Sequence, residues 1–343
     1  MKLSIVIPAY NCSNFISLCL DSLLSQGIQH EAYEVLVIND GSTDHTLTIA
    51  NSYSKKYKQI KVYDKVNEGV GSARNMGLNL AKGAYVYFID PDDYLAKDVL
   101  ATILQQAEHN NLEILTFNSQ PITDSSLLHA SPNKLDLELS AILTGERYIA
   151  ENNYNNEVWW YIIKRDFILQ TKIKFIEDRW MEDAILTAQL FLKAKRIAHY
   201  PINAHRHLIV EGSAMTSKEP SHYLRVINDN YNAALVFNSM IKELTNQPYA
   251  NANCIARLKS RQQSFVFFMM VRMLKSTITL KAIQPKLNTL KTVNAYPLTA
   301  FLGKDYKGIS YATLVLLFNN KRIYYLLFRV FNPLFKKLYF NKE

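Results

Sequence analysis

Two hydrophobic periods alternate along the first 117 residues. Short β-branched and aromatic runs are each followed by a stretch with apolar positions three and four apart, so strands and helices are predicted in succession. Leu3–Ile7, Glu34–Ile38, Ile60–Tyr63, Ala84–Ile89 and Glu113–Phe117 predict strands. Asn14–Gln26, Asp44–Lys56, Gly71–Ala81 and Lys97–His109 predict the helices between them, the first with a buried stripe at Phe15, Leu18, Leu20, Leu23 and Leu24. Alternation with short connections is the pattern of an α/β domain on a mainly parallel sheet flanked by helices. Residues 118–156 are polar and irregular and predict a long excursion. Beyond it, Trp159–Leu169 and Asp183–Ala194 predict helices, and Arg196–Tyr200, closed by Pro201, predicts a strand. From about 221 the pattern is mostly helical, with a boundary expected near 215–225. The chain is therefore expected to divide into 1–220, with halves 1–117 and 118–220, and a helical region 221–343.

Composition narrows the class. With 48% hydrophobic and 20% charged residues and only ten Gly and ten Pro, the chain of 343 residues is too apolar and too regular for long disorder. Cys12, Cys19 and Cys254 are too few and scattered for a disulfide framework or zinc site; Cys12 and Cys19, seven apart, predict buried thiols, and a reducing, cytoplasmic compartment fits. Residues 3–9 read as a first strand, not a secretory signal. No segment reaches the roughly 18 uninterrupted apolar residues of a spanning helix. The longest candidates, 262–274 and 309–318, are broken by Arg272 and by Asn319-Asn320-Lys321-Arg322.

The net charge of +9 is unevenly spread. Residues 251–343 hold 16 Lys and Arg against Asp305 and Glu343, a net of +14, which leaves −5 for residues 1–250. A basic tail on an acidic body points to an anionic partner, a membrane surface or a nucleic acid. In 321–340, Ile323, Leu326, Leu327, Val330, Leu334 and Leu338 recur at helical spacing among Lys321, Arg322, Arg329, Lys336 and Lys337, with Pro333 expected to kink or divide the helix. A basic amphipathic helix of this kind favours contact of 304–343 with an anionic inner leaflet; packing on the chain's own core or on a second copy is the alternative.

Parallel α/β sheets bind ligands beyond the carboxyl ends of their strands, and here four strand ends carry polar residues. They are Pro8-Ala9-Tyr10-Asn11, Asn39-Asp40-Gly41-Ser42, Asn67-Glu68-Gly69 and Asp90-Pro91-Asp92-Asp93. Three carboxylates within four residues would repel in a dry site, and Mg²⁺ or Mn²⁺ with phosphate oxygens relieves that repulsion. Asp92 or Asp93 could instead cap a helix beginning near Leu95. Asp40 has a similar choice between a turn role and accepting a base N–H. The glycine-rich stretch 67–77 is neither a dinucleotide fingerprint nor a Walker A loop, although Arg74 in it could reach a diphosphate.

Taken in order, Ser4 through Asn11, Val37 through Asp44, Asn67 through Gly77 and Phe88 through Asp93 resemble the N-terminal domain of family 2 inverting glycosyltransferases, which adopt the GT-A nucleotide-diphospho-sugar-binding fold. Asn39 departs from the family, which commonly has Asp there. The resemblance implies that Pro8, Ala9 and Tyr10 frame the base and Asp40 reads its N–H. Asn67, Gly69 and Arg74 would hold the nucleotide, Asp90 the ribose, and Asp92 the Mn²⁺ or Mg²⁺ bridging the diphosphate. Glu182-Asp183 resembles the family's Glu-Asp motif and makes Asp183 the base, with Asp178 of Glu177-Asp178 the rival. Trp159, Trp160 and Tyr161 are candidates for stacking on an acceptor sugar, and Arg206, flanked by His205 and His207, for a phosphate contact. A metal site at those histidines is disfavoured because no acidic residue is near in sequence. The implied substrates are a UDP-sugar and a glycan or lipid-linked acceptor, on the cytoplasmic face. A non-catalytic α/β binding protein with a basic tail is the alternative, but it leaves the acidic strand ends unexplained, and no nucleic-acid motif is found.

Overall fold

The computed structural model describes residues 1–123, 127, 130–132, 137–209, 219–303 and 305–339. Strands and helices alternate at first: β1 (Leu3–Ala9), α1 (Ile16–Leu24), β2 (Tyr33–Asp40), α2 (Thr46–Lys56), β3 (Ile60–Lys65), α3 (Val70–Leu80) and β4 (Tyr85–Phe88). Next come β5 (Tyr94–Leu95), α4 (Leu100–His109), β6 (Ile114–Ile122), α5 (Gly145–Glu151), β7 (Tyr161–Lys164), α6 (Arg165–Thr171), α7 (Glu182–Lys193) and β8 (Ile197–Leu208). Helices α8 (Pro220–Thr245), α9 (Ala252–Leu274), α10 (Leu280–Thr292), α11 (Ile309–Asn319) and α12 (Lys321–Tyr339) follow.

The strands form one sheet in the order β3-β2-β1-β4-β7-β6-β8-β5. β1 runs parallel to β2 and β4, β2 to β3, and β6 to β8, while β7 is antiparallel to both β4 and β6. Every residue of β1 and β2 is buried, because helices cover both faces and both sets of alternating side chains need apolar surroundings.

Three elements differ from the sequence reading. Trp159–Leu169 is not one helix: Tyr161–Lys164 is β7, hydrogen-bonded between β4 and β6, and only Arg165–Thr171 is helical. Tyr-Ile-Ile is apolar enough for a fully buried strand, and so short a run carries no decisive period. Tyr94–Leu95 is a short strand against Arg206 and His205 of β8, so the following helix starts at Leu100 and Asp92 and Asp93 do not cap it. β8 passes through Pro201 and ends at Leu208. Pro201 is tolerated because the β6–β8 register shifts around Asn118, whose amide donates to the Pro201 carbonyl (3.0 Å).

Two compact units result, Met1–Tyr148 with Asn155–Val210, and Ile149–Tyr154 with Glu211–Glu343. The expected boundary at 215–225 lies partly outside the described residues. In the second unit, Arg257 donates to the Asn152 carbonyl (3.0 Å) and pairs with Asp305 (3.2 Å), and Arg261 donates to the Tyr154 carbonyl (2.9 Å). Those bonds stitch the 149–154 segment to α9. Cys12, Cys19 and Cys254 are buried free thiols.

Candidate active site

The loops after β1, β2 and β3 are tied to one another. Asn11 N–H donates to Ser42 Oγ (3.0 Å), Thr43 N–H to Asn11 Oδ1 (2.8 Å), and Ser13 N–H to Asp44 Oδ2 (3.0 Å). Pro8 and Ala9 are buried in β1, whereas Tyr10 just beyond them leaves 52% of its surface exposed. Asp40 at the end of β2 is buried and organises the loop after β3. Its Oδ1 accepts from Lys65 Nζ (2.9 Å) and Glu68 N–H (3.1 Å), and its Oδ2 accepts from Gly69 N–H (2.8 Å). A carboxylate offers about four acceptor positions, so one remains. Asn67, exposed, passes directly over Gly41, where a Cβ would lie 2.8 Å from the Asn67 nitrogen. Gly41 also has φ +69°, so both space and backbone require glycine there.

Asn39 is buried, and its amide donates to Asp64 Oδ1 (2.6 Å) on β3, while its own Oδ1 has no partner among the described residues. An Asp at 39 would set two carboxylates side by side at that register. The departure from the family pattern is thus matched by an acid on the neighbouring strand.

Arg74 is the surprise of α3. Its guanidinium is buried, one terminal nitrogen pairing with Asp90 Oδ1 (2.7 Å) and the other with Glu182 Oε1 (2.5 Å). It therefore joins the acidic turn after β4 to the start of α7. The loop leading into α7 is clamped on the same helix. Asn75 exchanges bonds with the Phe175 backbone (2.9 and 3.0 Å) and donates to Glu177 Oε1 (2.9 Å). At Gly71 a Cβ would lie 2.4 Å from the Ile176 carbonyl oxygen, so the contact is backbone to helix. Asp178 (φ +52°) and Met181 (φ +67°) are left-handed non-glycine residues just before Glu182, backbone strain of the kind that collects at functional sites.

The three carboxylates after β4 have separate fates. Asp90 is taken by Arg74. Asp93 lies 3.1 Å from both His205 Nε2 and His207 Nδ1, and its Oδ1 accepts from Leu208 N–H (2.9 Å). Burial opposes its ionisation, but the two histidines outweigh that and hold its carboxyl at about 2. Asp92 has no salt-bridge partner among the described residues; burial, then Asp90 and Asp93, push its carboxyl up to about 7. Asp183, at the start of α7, is driven well above the carboxylate range by burial and by Glu182 beside it. No group of three or more His, Cys, Asp or Glu forms a ready metal cage among the described residues. A single strained carboxylate still suits Mg²⁺ or Mn²⁺, which complete their shell with substrate phosphates and water.

Other candidates are spent on packing. Trp160 and Tyr161 sit in the core against Phe191, and Trp159 stacks on His205 (4.3 Å) and His207 (5.4 Å). Arg206 is buried in β8 and donates to the Asn203 carbonyl (3.0 Å). The acidic partner that His205 and His207 lack in sequence is Asp93, 112 and 114 positions away.

An α/β sheet whose strand ends gather an acidic turn and an acidic helix start has the arrangement of a GT-A fold. The S. aureus TarS 1–349 structure in complex with UDP-GlcNAc superposes with a TM-score of 0.69 at 22% identity, covering 98% of this chain and 91% of that one. Residues 4–166 match the family model described as glycosyl transferase family 2. The glycosyltransferase EpsJ of Bacillus subtilis is 31% identical over 201 residues, 57% of each chain. The poly(ribitol-phosphate) beta-glucosyltransferase of Bacillus spizizenii is 34% identical over 208 residues, 58% of this chain and 31% of that protein. The chain thus spans about half and about a third of these two relatives.

Proposed function

We propose that this chain is a metal-dependent inverting glycosyltransferase that moves a sugar from a UDP-sugar to a glycan or lipid-linked acceptor in surface polysaccharide synthesis. The observation that carries the reading is the Arg74 bridge, which holds the acidic turn 90–93 and the Glu182-Asp183 helix start in one site. The UDP-GlcNAc complex of TarS and the polyribitol-phosphate acceptor named for the Bacillus spizizenii relative support the substrate classes.

Tyr10 offers an exposed ring for the base, with Pro8 and Ala9 setting its backbone and the remaining acceptor position of Asp40 taking a base N–H. Asn67 and Gly69 line the nucleotide side, and the free oxygen of Asp90 faces the ribose. Asp92 would hold the divalent cation, which when bound neutralises charge on the departing diphosphate. Asp183 takes the acceptor hydroxyl proton while that oxygen bonds to the anomeric carbon and the carbon–phosphate-oxygen bond breaks on the opposite face. A single base with no second carboxylate nucleophile gives inversion. Burial suits Asp183 to this task, because a raised pKa makes a carboxylate a stronger base. The buried free thiols support a cytoplasmic setting.

Calorimetric titration with UDP, with and without Mn²⁺, tests the reading. Asp92→Ala is expected to lose the metal-dependent part of the affinity and keep the fold by circular dichroism. Equal metal-dependent binding in wild type and variant would overturn the assignment.

A further inference from the structure

Helix α12 has two apolar faces, and only one is used inside the protein. Tyr324, Phe328 and Asn332, four apart, are buried; Tyr324 donates to the Met270 carbonyl (2.9 Å), and Asn332 donates to the carbonyls of Leu274 (3.1 Å), the last residue of α9, and Ser276 (2.7 Å) just past it. The more regular stripe, Ile323, Leu326, Val330 and Leu334, faces outward, with Leu326 61% and Leu334 54% exposed. Pro333 does not break the helix. It lies on the exposed side, as does Arg329, whose carbonyl loses its helix partner there. Leu316 of α11, 74% exposed, lines one shallow depression with Lys321 and Arg322. Arg322, Arg329 and Lys336 recur every seven residues and so form a basic row along one flank of the stripe. Between Tyr306 and Lys342 the sequence has no Asp or Glu.

We infer that the outer face of α12, with Leu316, seats in the interface of an anionic lipid bilayer. Leu326, Val330 and Leu334 would enter the acyl boundary, and Arg322, Arg329 and Lys336 would meet lipid phosphates. Charge decides among the occupants. A second copy docked on this stripe would bring basic row against basic row with no carboxylate to answer. A nucleic acid would satisfy the cations and leave the apolar stripe in water. An anionic leaflet satisfies both. Among the described residues no helix is long and apolar enough to cross a membrane, so the contact is peripheral.

The inference is independent of the donor chemistry, and its test separates the two. Full-length protein is sedimented with vesicles of phosphatidylcholine alone and of equal phosphatidylcholine and phosphatidylglycerol, with UDP binding measured in parallel. Binding is expected on the anionic vesicles only, weakening as salt rises. Leu326→Gln/Val330→Gln/Leu334→Gln alters exposed positions and should lower it about tenfold or more. Arg329→Glu should lower it about fivefold or more. UDP affinity should stay unchanged in both variants. Absent or equal binding on the two vesicle types overturns the inference, as does a triple variant that still binds. Loss of a dimer in the triple variant, or retention on DNA at physiological salt that matches the anionic vesicles, assigns the face to another occupant and overturns it too.

Discussion

At the scale of single residues, the site is a set of carboxylates distinguished by their neighbours. Asp90, Asp92 and Asp93 share one turn, yet Arg74 holds the first, two histidines hold the third, and Asp92 alone stays unpaired by any salt bridge among the described residues. Asp183→Asn is expected to cut turnover about 100-fold or more with donor affinity nearly unchanged, measured by release of UDP in the presence of acceptor. Asp178→Asn is the control, and if it carries the loss the base has been placed five residues too late. Arg74→Met leaves two carboxylates facing each other and should cost about 3 kcal/mol in denaturant unfolding. Arg74→Met/Glu182→Gln should recover part of that loss, because one of the two uncompensated charges is gone. Arg74→Lys is not expected to substitute, since one ammonium cannot reproduce a two-pronged bridge.

At the scale of elements, the sheet is pinned at the edge away from the site. Glu34 of β2 is buried, accepting at Oε1 from Ser4 Oγ of β1 (2.8 Å) and Lys82 N–H (2.9 Å), and at Oε2 from Lys61 Nζ of β3 (2.7 Å). Burial opposes the charge, but Lys61, Ser4 and the Lys82 amide outweigh it and lower the carboxyl below its ordinary 4.5. A lowered folded-state pKa contributes stability that is complete above the unfolded value and lost as pH falls through the folded one. Glu34→Gln should therefore melt below wild type at neutral pH, with the gap narrowing below about pH 4. A gap independent of pH would mean that shape, not charge, is what Glu34 supplies. On the site side, Gly71 and Asn75 of α3 carry the loop before α7, so α3 serves two strand ends and a helix start together.

At the scale of the whole chain, Ile149–Tyr154 belongs with the later helices although it interrupts the first unit in sequence. A fragment of residues 1–220 would leave the Asn152 and Tyr154 carbonyls without the Arg257 and Arg261 partners that bind them. It is expected to melt lower than the full chain by thermal scan, and an unchanged midpoint would show that those bonds carry no stability. The sequence by itself was enough for the β1–β4 alternation, the four polar strand ends and the Glu182-Asp183 pair, because hydrophobic period and turn chemistry are local. It was also enough for the apolar stripe and basic row of α12. Tertiary structure alone decided which face of that helix points outward. It also made Tyr161–Lys164 a buried strand where one helix was expected, packed Trp160 in the core, gave Asp93 its histidines and committed Arg74 to Asp90 and Glu182. Each of these depends on a partner far along the chain, 16 to 114 residues away for the charged pairs. Periodicity carries no record of such partners, since a side chain's charge state and direction are set by what folding brings beside it.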